Sequence, residues 1–159
     1  MTDRTIAPPS IERMIRVDHA GEYGATRIYA GQLAVLGRGN KGDILRHMLD
    51  QETVHLKTFS GLISQRRVRP TALLPLWNLA GFALGAATAM LGEKAAMACT
   101  VAVEEAIDEH YAAQAAALGE EEAPLRATIT AITEGTGNVR RCRGRRCSSR
   151  CRCCKSARR

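Results

Sequence analysis

The sequence predicts an all-α protein built as an antiparallel helical bundle. Apolar residues recur at helical spacing over four segments, and each segment ends at a glycine or a basic run. Aromatic residues make up only 4% of the 159 residues, although 45% are hydrophobic. The core therefore consists mainly of Ala, Leu, Ile, Val and Met, which favours helices over sheets. Short connections between the segments are typical of antiparallel neighbours.

The first two helices have clear boundaries. Ser10 is a candidate N-cap for a helix that runs from Ile11 to Leu36 and ends at a glycine-rich turn. The second helix is predicted from about Asp43 to Gln65, where a basic run begins. Both helices carry an apolar stripe that a bundle core would bury.

An uncharged, apolar stretch follows these helices. The 22 residues from Thr71 to Gly92 carry no charge, and this length is nominally enough to cross a bilayer core of about 30 Å. Pro75, Asn78 and two internal glycines weaken the case for a membrane span. We therefore predict an extra short helix that packs on other helices or lies in a membrane interface.

The remaining helices lead into a basic tail. The next long helix ends at Gly119, and Pro124 opens a last bundle helix that is cut short at Gly135. From there the chain consists largely of Gly, Arg, Cys and Ser without an apolar period, so it cannot bury enough surface to fold by itself. We predict a domain of residues 1–134 with an incomplete last helix, and a disordered tail of residues 135–159.

The net charge of +7 belongs to the tail. Ten of the 23 basic residues lie between Arg140 and Arg159, whereas all 16 acidic residues precede Arg140. A nucleic-acid-binding function would depend on the tail alone, so we expect no nucleic-acid partner. The first twelve residues contain charges and prolines in place of the apolar stretch of a signal peptide, and we expect a cytoplasmic location.

Three helices carry acidic residues in positions that suit a buried metal site. Glu52 and His55 are three residues apart and project from one helix face, where they can bind one metal ion. Glu22 has glycine neighbours that permit close helix approach, and Glu104 follows an apolar run in which an unpaired carboxylate is costly to bury. Taken singly, each residue fits a solvated surface position as well. Together they match the first three parts of a di-iron carboxylate site, whose ligation suits Fe(II).

Longer motifs surround these residues. They are Arg16-Val-Asp-His-Ala-Gly-Glu22-Tyr-Gly-Ala, Glu52-x-x-His55, Arg69-Pro-Thr followed by Pro75-Leu-Trp77-Asn-Leu-Ala-Gly-Phe82, and Ala98-Cys-Thr-Val-Ala-Val-Glu104-Glu105 followed by His110-Tyr111. Over roughly residues 10 to 134 the sequence resembles the demethoxyubiquinone hydroxylase family. The resemblance implies a ferritin-like bundle that hydroxylates the demethoxyubiquinol ring in ubiquinone biosynthesis, with two iron ions, O₂ as co-substrate and an external reductant.

The resemblance also implies roles for particular residues. Those that match the family's iron ligands are Glu22, Glu52, His55 and Glu104, with the match to Glu52 bridging both ions. His110 and Tyr111 match a pair near the quinone site and are candidates for substrate contact or for proton and electron delivery. A packed core tyrosine and an ordinary histidine are the alternatives for this pair.

A membrane surface is the other implied partner. The apolar segment from Thr71 to Leu91 would let a polyprenyl benzoquinol enter from the bilayer edge, and Arg66, Arg67 and Arg69 beside it would face lipid phosphates. We therefore expect peripheral association with the inner face of the cell membrane. A homo-oligomer and a ubiquinone-biosynthesis complex are the candidate assemblies.

The end of the sequence departs from the family pattern. A second Glu-x-x-His is expected on the last bundle helix, but no histidine follows His110, and the segment after Glu134 is rich in glycine and arginine. We interpret the switch as a reading-frame slip near codon 135. A genuine cysteine-rich tail that binds RNA or zinc is the alternative, although its cysteine spacing does not match common zinc sites. A catalytically impaired, truncated family member and another ferritin-like iron-binding protein are the alternatives to an active hydroxylase.

Overall fold

The computed structural model describes residues 10–39 and 41–143, with side chains as far as Glu134. Within this part of the chain the structure is helical and contains no strand, which confirms the predicted fold class. The helices are α1 (Ile11–Leu36), α2 (Gly42–Gln65), α3 (Leu74–Met90), α4 (Glu93–Ala117) and α5 (Ala123–Arg143), with a short 3₁₀ helix at Glu120–Glu122. The chain divides within α4 into two compact units, the first ending at Glu105 and the second beginning at Ala106.

Local capping sets the ends of α1 where the sequence predicts them, and α2 ends at Gln65 as predicted. The Ser10 side-chain oxygen accepts a hydrogen bond from the Arg13 amide at 3.3 Å. At the other end, the Gly37 amide donates to a carbonyl in the last turn of α1 at 2.9 Å. After Gln65 the chain turns through Arg67, whose φ of 53° lies in the left-handed region that non-glycine residues seldom adopt.

Glycines allow α3 to pack very close to α1 in the first unit. A β-carbon added at Gly85 would collide with the Ile28 carbonyl oxygen, and one added at Gly31 would collide with the Phe82 carbonyl oxygen. A β-carbon added at Gly81 would lie 3.1 Å from the Gly24 carbonyl oxygen, so the step from Gly81 to Gly85 on α3 matches the step from Gly24 to Ile28 on α1. Helix α3 therefore runs parallel to α1. In contrast, α2 follows α1 through a short turn and packs against it antiparallel. Helix α1 is therefore the centre of the first unit.

The opposite side of α3 is apolar and exposed. We define the apolar face of α3 as Leu73, Leu76, Trp77, Leu79, Leu84, Met90 and Leu91, which are between 45% and 80% exposed. The buried side of α3 is a stripe of small residues that packs on α1, as predicted for a short helix packed on other helices. Its position in a membrane interface stays a prediction. Among the described residues, no helix combines the length and the hydropathy that crossing a membrane requires.

The second unit contains the C-terminal half of α4, the 3₁₀ helix and α5. Its core includes Tyr111, Leu125 and Ile129, which are at most 2% exposed. The Arg126 guanidinium donates a hydrogen bond to the Leu118 carbonyl at 2.5 Å. Carbonyls at the end of a helix lack intrahelical partners, so Arg126 satisfies one that follows α4.

The last helix does not end where the sequence pattern indicated. Helix α5 continues past Gly135 to Arg143, so the prediction that it is cut short at Gly135 was wrong. A glycine inside a helix costs only about 1 kcal/mol relative to alanine, and no proline interrupts this segment. The regular spacing of apolar residues ends near Gly135, but the helical backbone continues to Arg143. The end of that spacing therefore did not mark the end of the helix. Most of the predicted tail, residues 144–159, lies outside the described residues, and the domain boundary at residue 134 stays a prediction.

Candidate metal centre

The four predicted metal ligands are on three helices of the first unit and are turned inward. The three carboxylates are nearly inaccessible: Glu22 is 1% exposed, Glu52 3% and Glu104 9%. The His55 side chain is 13% exposed. Acidic residues are almost never this buried unless they are paired, so the solvated surface position that the sequence left open does not apply.

Three of the four residues converge. One donor atom from each of Glu22, Glu52 and His55 lies within 4.8 Å of the other two. His55 Nδ1 is 3.4 Å from Oε2 of Glu52 and 3.7 Å from Oε2 of Glu22. The three-residue spacing on α2 places Glu52 and His55 on one face, and the antiparallel packing of α1 brings Glu22 opposite them.

Glu104 approaches this cluster from α4. It is not among the three converging residues, but its charge is near enough to raise the pKa of Glu52. The Tyr29 hydroxyl donates a hydrogen bond to Oε1 of Glu104, so α1 also holds the acid of α4. The first unit therefore places two buried carboxylates beside the His55 imidazole and a third, Glu104, near Glu52.

Burial and neighbouring charges shift the pKa values of Glu52 and His55. Burial raises the pKa of Glu52 to about 8; the hydrogen bond with His55 opposes the rise, and Glu22 and Glu104 add to it. Burial alone would lower the pKa of His55, but the nearby carboxylates of Glu22 and Glu52 outweigh it and raise the value to about 10. Without a metal ion, both residues are therefore mainly protonated at neutral pH.

The donor set fits a divalent metal ion. Once deprotonated, three carboxylates and one imidazole place negative charge in a buried position, which is costly unless a cation compensates it. Carboxylate oxygens together with an imidazole nitrogen suit Fe(II) and Mn(II). Glu22, Glu52 and His55 are therefore suited to hold one metal ion, with Glu104 as the neighbouring carboxylate.

Metal binding to this cluster is expected to strengthen as the pH rises. Glu52 and His55 must lose protons before they bind a cation, so binding near neutral pH should release about two protons per chain. Because both folded-state pKa values are raised, these two groups contribute stability to the metal-free chain that is fully present in acid. The chain should lose this stability as the pH rises from 4.5 through about 8 for Glu52 and from 6.5 through about 10 for His55. Mn(II) calorimetry in buffers of different ionisation enthalpy measures the proton release, and an affinity that does not change with pH would contradict the expectation.

His110 and Tyr111 lie on α4 in the second unit. Tyr111 is 2% exposed, whereas His110 is exposed. Their ring centroids are 6.0 Å apart and the rings are tilted by 49°. The pair thus combines a phenol inside the second unit with an imidazole at its surface.

Buried polar residues on α1 and α4 were concealed by the apolar pattern of the sequence. Tyr29 and Gln32 on α1 and Thr100 on α4 are at most 1% exposed. The apolar residues around them indicate a buried face, but they do not indicate that polar side chains form hydrogen bonds there. One signal was available for Tyr29: it follows Glu22 by seven residues, which places both side chains on the same face of α1.

Carboxylates and a histidine that meet inside a set of packed helices form a candidate metal site of the carboxylate–histidine class. Residues 9–141 match the model of the family described as Ubiquinone biosynthesis protein COQ7. The chain belongs to this family. The resemblance on which the sequence-based expectations depended is therefore confirmed.

Curated relatives agree with this assignment. The chain is 64% identical over 133 residues to 3-demethoxyubiquinol 3-hydroxylase of Rhodospirillum rubrum, covering 80% of the chain and 62% of the relative. It is 61% identical over 122 residues to the NADPH-dependent 3-demethoxyubiquinone 3-hydroxylase of Mus musculus, covering 77% and 56%. It is 51% identical over 106 residues to the 5-demethoxyubiquinone hydroxylase of Saccharomyces cerevisiae, covering 65% and 46%. The chain thus spans about half to three fifths of the length of these relatives.

Proposed function

We propose that this chain acts as a carboxylate-bridged di-iron monooxygenase that hydroxylates the demethoxyubiquinol ring in ubiquinone biosynthesis. The observation that carries the proposal is the convergence of Glu22, Glu52 and His55 in a chain whose relatives are named as hydroxylases of this ring. The co-substrate is O₂. NADPH is the proposed source of electrons, since the name of the Mus musculus relative states that dependence.

The residues of the centre each have a task in this proposal. Iron held here would activate O₂ for insertion of one oxygen atom into the ring, which amino-acid side chains do not achieve alone. Glu22, Glu52 and His55 would hold the first ion, and Glu52 together with Glu104 would hold the second. Their burial keeps bulk water from the reacting oxygen.

His110 and Tyr111 are the proposed residues for substrate contact or for proton and electron delivery. His110 is exposed, whereas the Tyr111 phenol is buried. With ring centroids 6.0 Å apart, the two side chains are near enough for one relay to use both.

The apolar face of α3 is the proposed contact with the membrane. It adjoins Arg66, Arg67 and Arg69, which are all exposed and carry the charge that anionic lipid headgroups attract. An interfacial helix would admit a polyprenyl quinol from the bilayer without crossing it. The chain would then reside in the cytoplasm, peripherally on the inner face of the cell membrane, as a homo-oligomer or within a biosynthetic complex.

A second candidate function is a metal-binding chain without hydroxylase activity. The observation that favours it is the composition of α5, whose only acidic residue is Glu134 and which has no histidine. The second Glu-x-x-His of a di-iron site is therefore missing from this helix. A reading-frame slip near codon 135 remains our proposal for its loss.

A chimera tests the proposed function. Residues from 135 onward are replaced by the corresponding part of the Rhodospirillum rubrum relative, and iron content and hydroxylated product are measured for both chains with demethoxyubiquinol, O₂ and NADPH. We expect about two iron ions per chain and product from the chimera. If the unaltered chain binds iron but forms no product, while the chimera does form product, the unaltered chain has the second function. A chimera that binds two ions and forms no product would contradict the hydroxylase proposal.

A further inference from the structure

Tyr29 connects the two sides of the metal centre. It is 1% exposed, and its hydroxyl donates a hydrogen bond to Oε1 of Glu104, 75 residues further along the chain. On α1 it lies seven residues beyond Glu22, on the same face of the helix. One face of α1 therefore supplies both a carboxylate of the cluster and the hydroxyl that contacts Glu104.

A second polar contact joins α1 and α4: Gln32 on α1 meets Thr100 on α4, one helical turn before Glu104. Gln32 is fully buried, and its Nε2 donates to the Ala96 carbonyl at 3.0 Å. Thr100 Oγ1 lies 3.3 Å from Oε1 of Gln32 and 3.1 Å from the same Ala96 carbonyl. This contact sets the register of α4 against α1, and the four-residue step from Thr100 brings Glu104 to Tyr29.

The hydroxyl of Tyr29 is not needed to fill space beside α1, and it makes the hydrogen bond to Glu104. A phenylalanine would fill the same buried space, since the two side chains differ only by the oxygen atom. A hydroxyl that donates to an ionised carboxylate makes a strong, directional hydrogen bond in a buried site. It restricts the orientation of the Glu104 carboxylate in a way that packing alone does not.

We propose that Tyr29 is a positioning residue of the metal centre. Its hydrogen bond to Oε1 holds the Glu104 carboxylate so that Oε2 is the oxygen presented to the metal. Groups that bond to metal ligands in this way orient them, and their loss typically weakens metal binding by about 10- to 100-fold. The inference rests on the proposed metal centre and adds a residue that is not a ligand.

Mn(II) affinity tests the proposal directly. Tyr29→Phe is expected to weaken Mn(II) binding by about 10-fold or more while leaving the helical circular dichroism unchanged. In a Glu104→Ala background the same change should have no further effect, because no side-chain oxygen remains at position 104 to accept the hydrogen bond from Tyr29. Tyr23→Phe is the matched control, since it removes a hydroxyl from the same helix that makes no hydrogen bond among the described residues.

A spectroscopic readout separates positioning from general stability. Co(II) absorption bands report coordination geometry, and we expect them to shift in Tyr29→Phe and to remain unchanged in Tyr23→Phe. Unchanged Mn(II) affinity and Co(II) bands in Tyr29→Phe would overturn the role of Tyr29 and leave the metal centre standing. If the unaltered chain binds neither ion, the metal centre itself fails, and this inference fails with it.

Discussion

Replacing Glu52 by glutamine is expected to weaken Mn(II) binding by more than about a hundredfold, because it removes a ligand and not only a group that orients one. Glu52 is the residue on which the cluster converges: its carboxylate lies 3.4 Å from His55 Nδ1, and its pKa responds to both Glu22 and Glu104. Glutamine has nearly the same shape but no charge. Isothermal calorimetry of the purified variant measures the loss.

The same variant should weaken metal binding, but it is expected to make the metal-free chain more stable than the unaltered chain at alkaline pH. Burial raises the pKa of Glu52 to about 8, so ionising it inside the fold is unfavourable. Glutamine cannot ionise, and the variant should lose less stability than the unaltered chain as the pH rises through about 8. Glu105→Gln is the matched control because Glu105 is an exposed acid next to Glu104. Equal Mn(II) affinity in Glu52→Gln and Glu105→Gln would remove Glu52 from the site.

Serine substitutions on the apolar face of α3 are expected to abolish most membrane binding. Leu76 is 59% exposed and Leu79 is 71% exposed, so both are available to insert into lipid. Burying one leucine is worth about 1.5–3 kcal/mol. The double change Leu76→Ser with Leu79→Ser should therefore weaken binding to mixed phosphatidylcholine and phosphatidylglycerol vesicles by about a hundredfold or more. Vesicle sedimentation measures the bound fraction.

Exposed apolar residues elsewhere provide the control for this experiment. Ile44 and Val54 on α2 are 45% and 60% exposed, and changing both to serine removes a similar apolar area away from α3. This control should bind vesicles as the unaltered chain does. Equal loss in both double variants would mean that the apolar face of α3 is not the membrane contact.

Helix boundaries and candidate ligands were predictable because they depend on local rules. Ser10 as a cap and Gly37 as a stop define α1, and three-residue spacing puts Glu52 and His55 on one face of α2. The extent of α5 was not predictable in this way. Its continuation past Gly135 depends on helix propensity, which persists after the apolar period has ended.

Contacts between distant segments could not be derived from spacing alone. The parallel packing of α3 on α1 depends on Gly31 and Gly85 meeting backbone atoms of the opposite helix. The bond from Tyr29 to Glu104 joins residues that an apolar pattern assigns simply to two buried stripes. Sequence periodicity identifies which face is buried, but the partner of each buried polar group is determined by how the helices pack.

The most direct test of the metal centre is anomalous X-ray diffraction from crystals of the full chain soaked with Mn(II). We expect an anomalous peak that is coordinated by carboxylate oxygens of Glu22 and Glu52 and by a ring nitrogen of His55. The peak should be absent from crystals of the Glu52→Gln variant soaked in the same way. A peak held only by exposed acids, or no peak in crystals of the unaltered chain, would contradict the account.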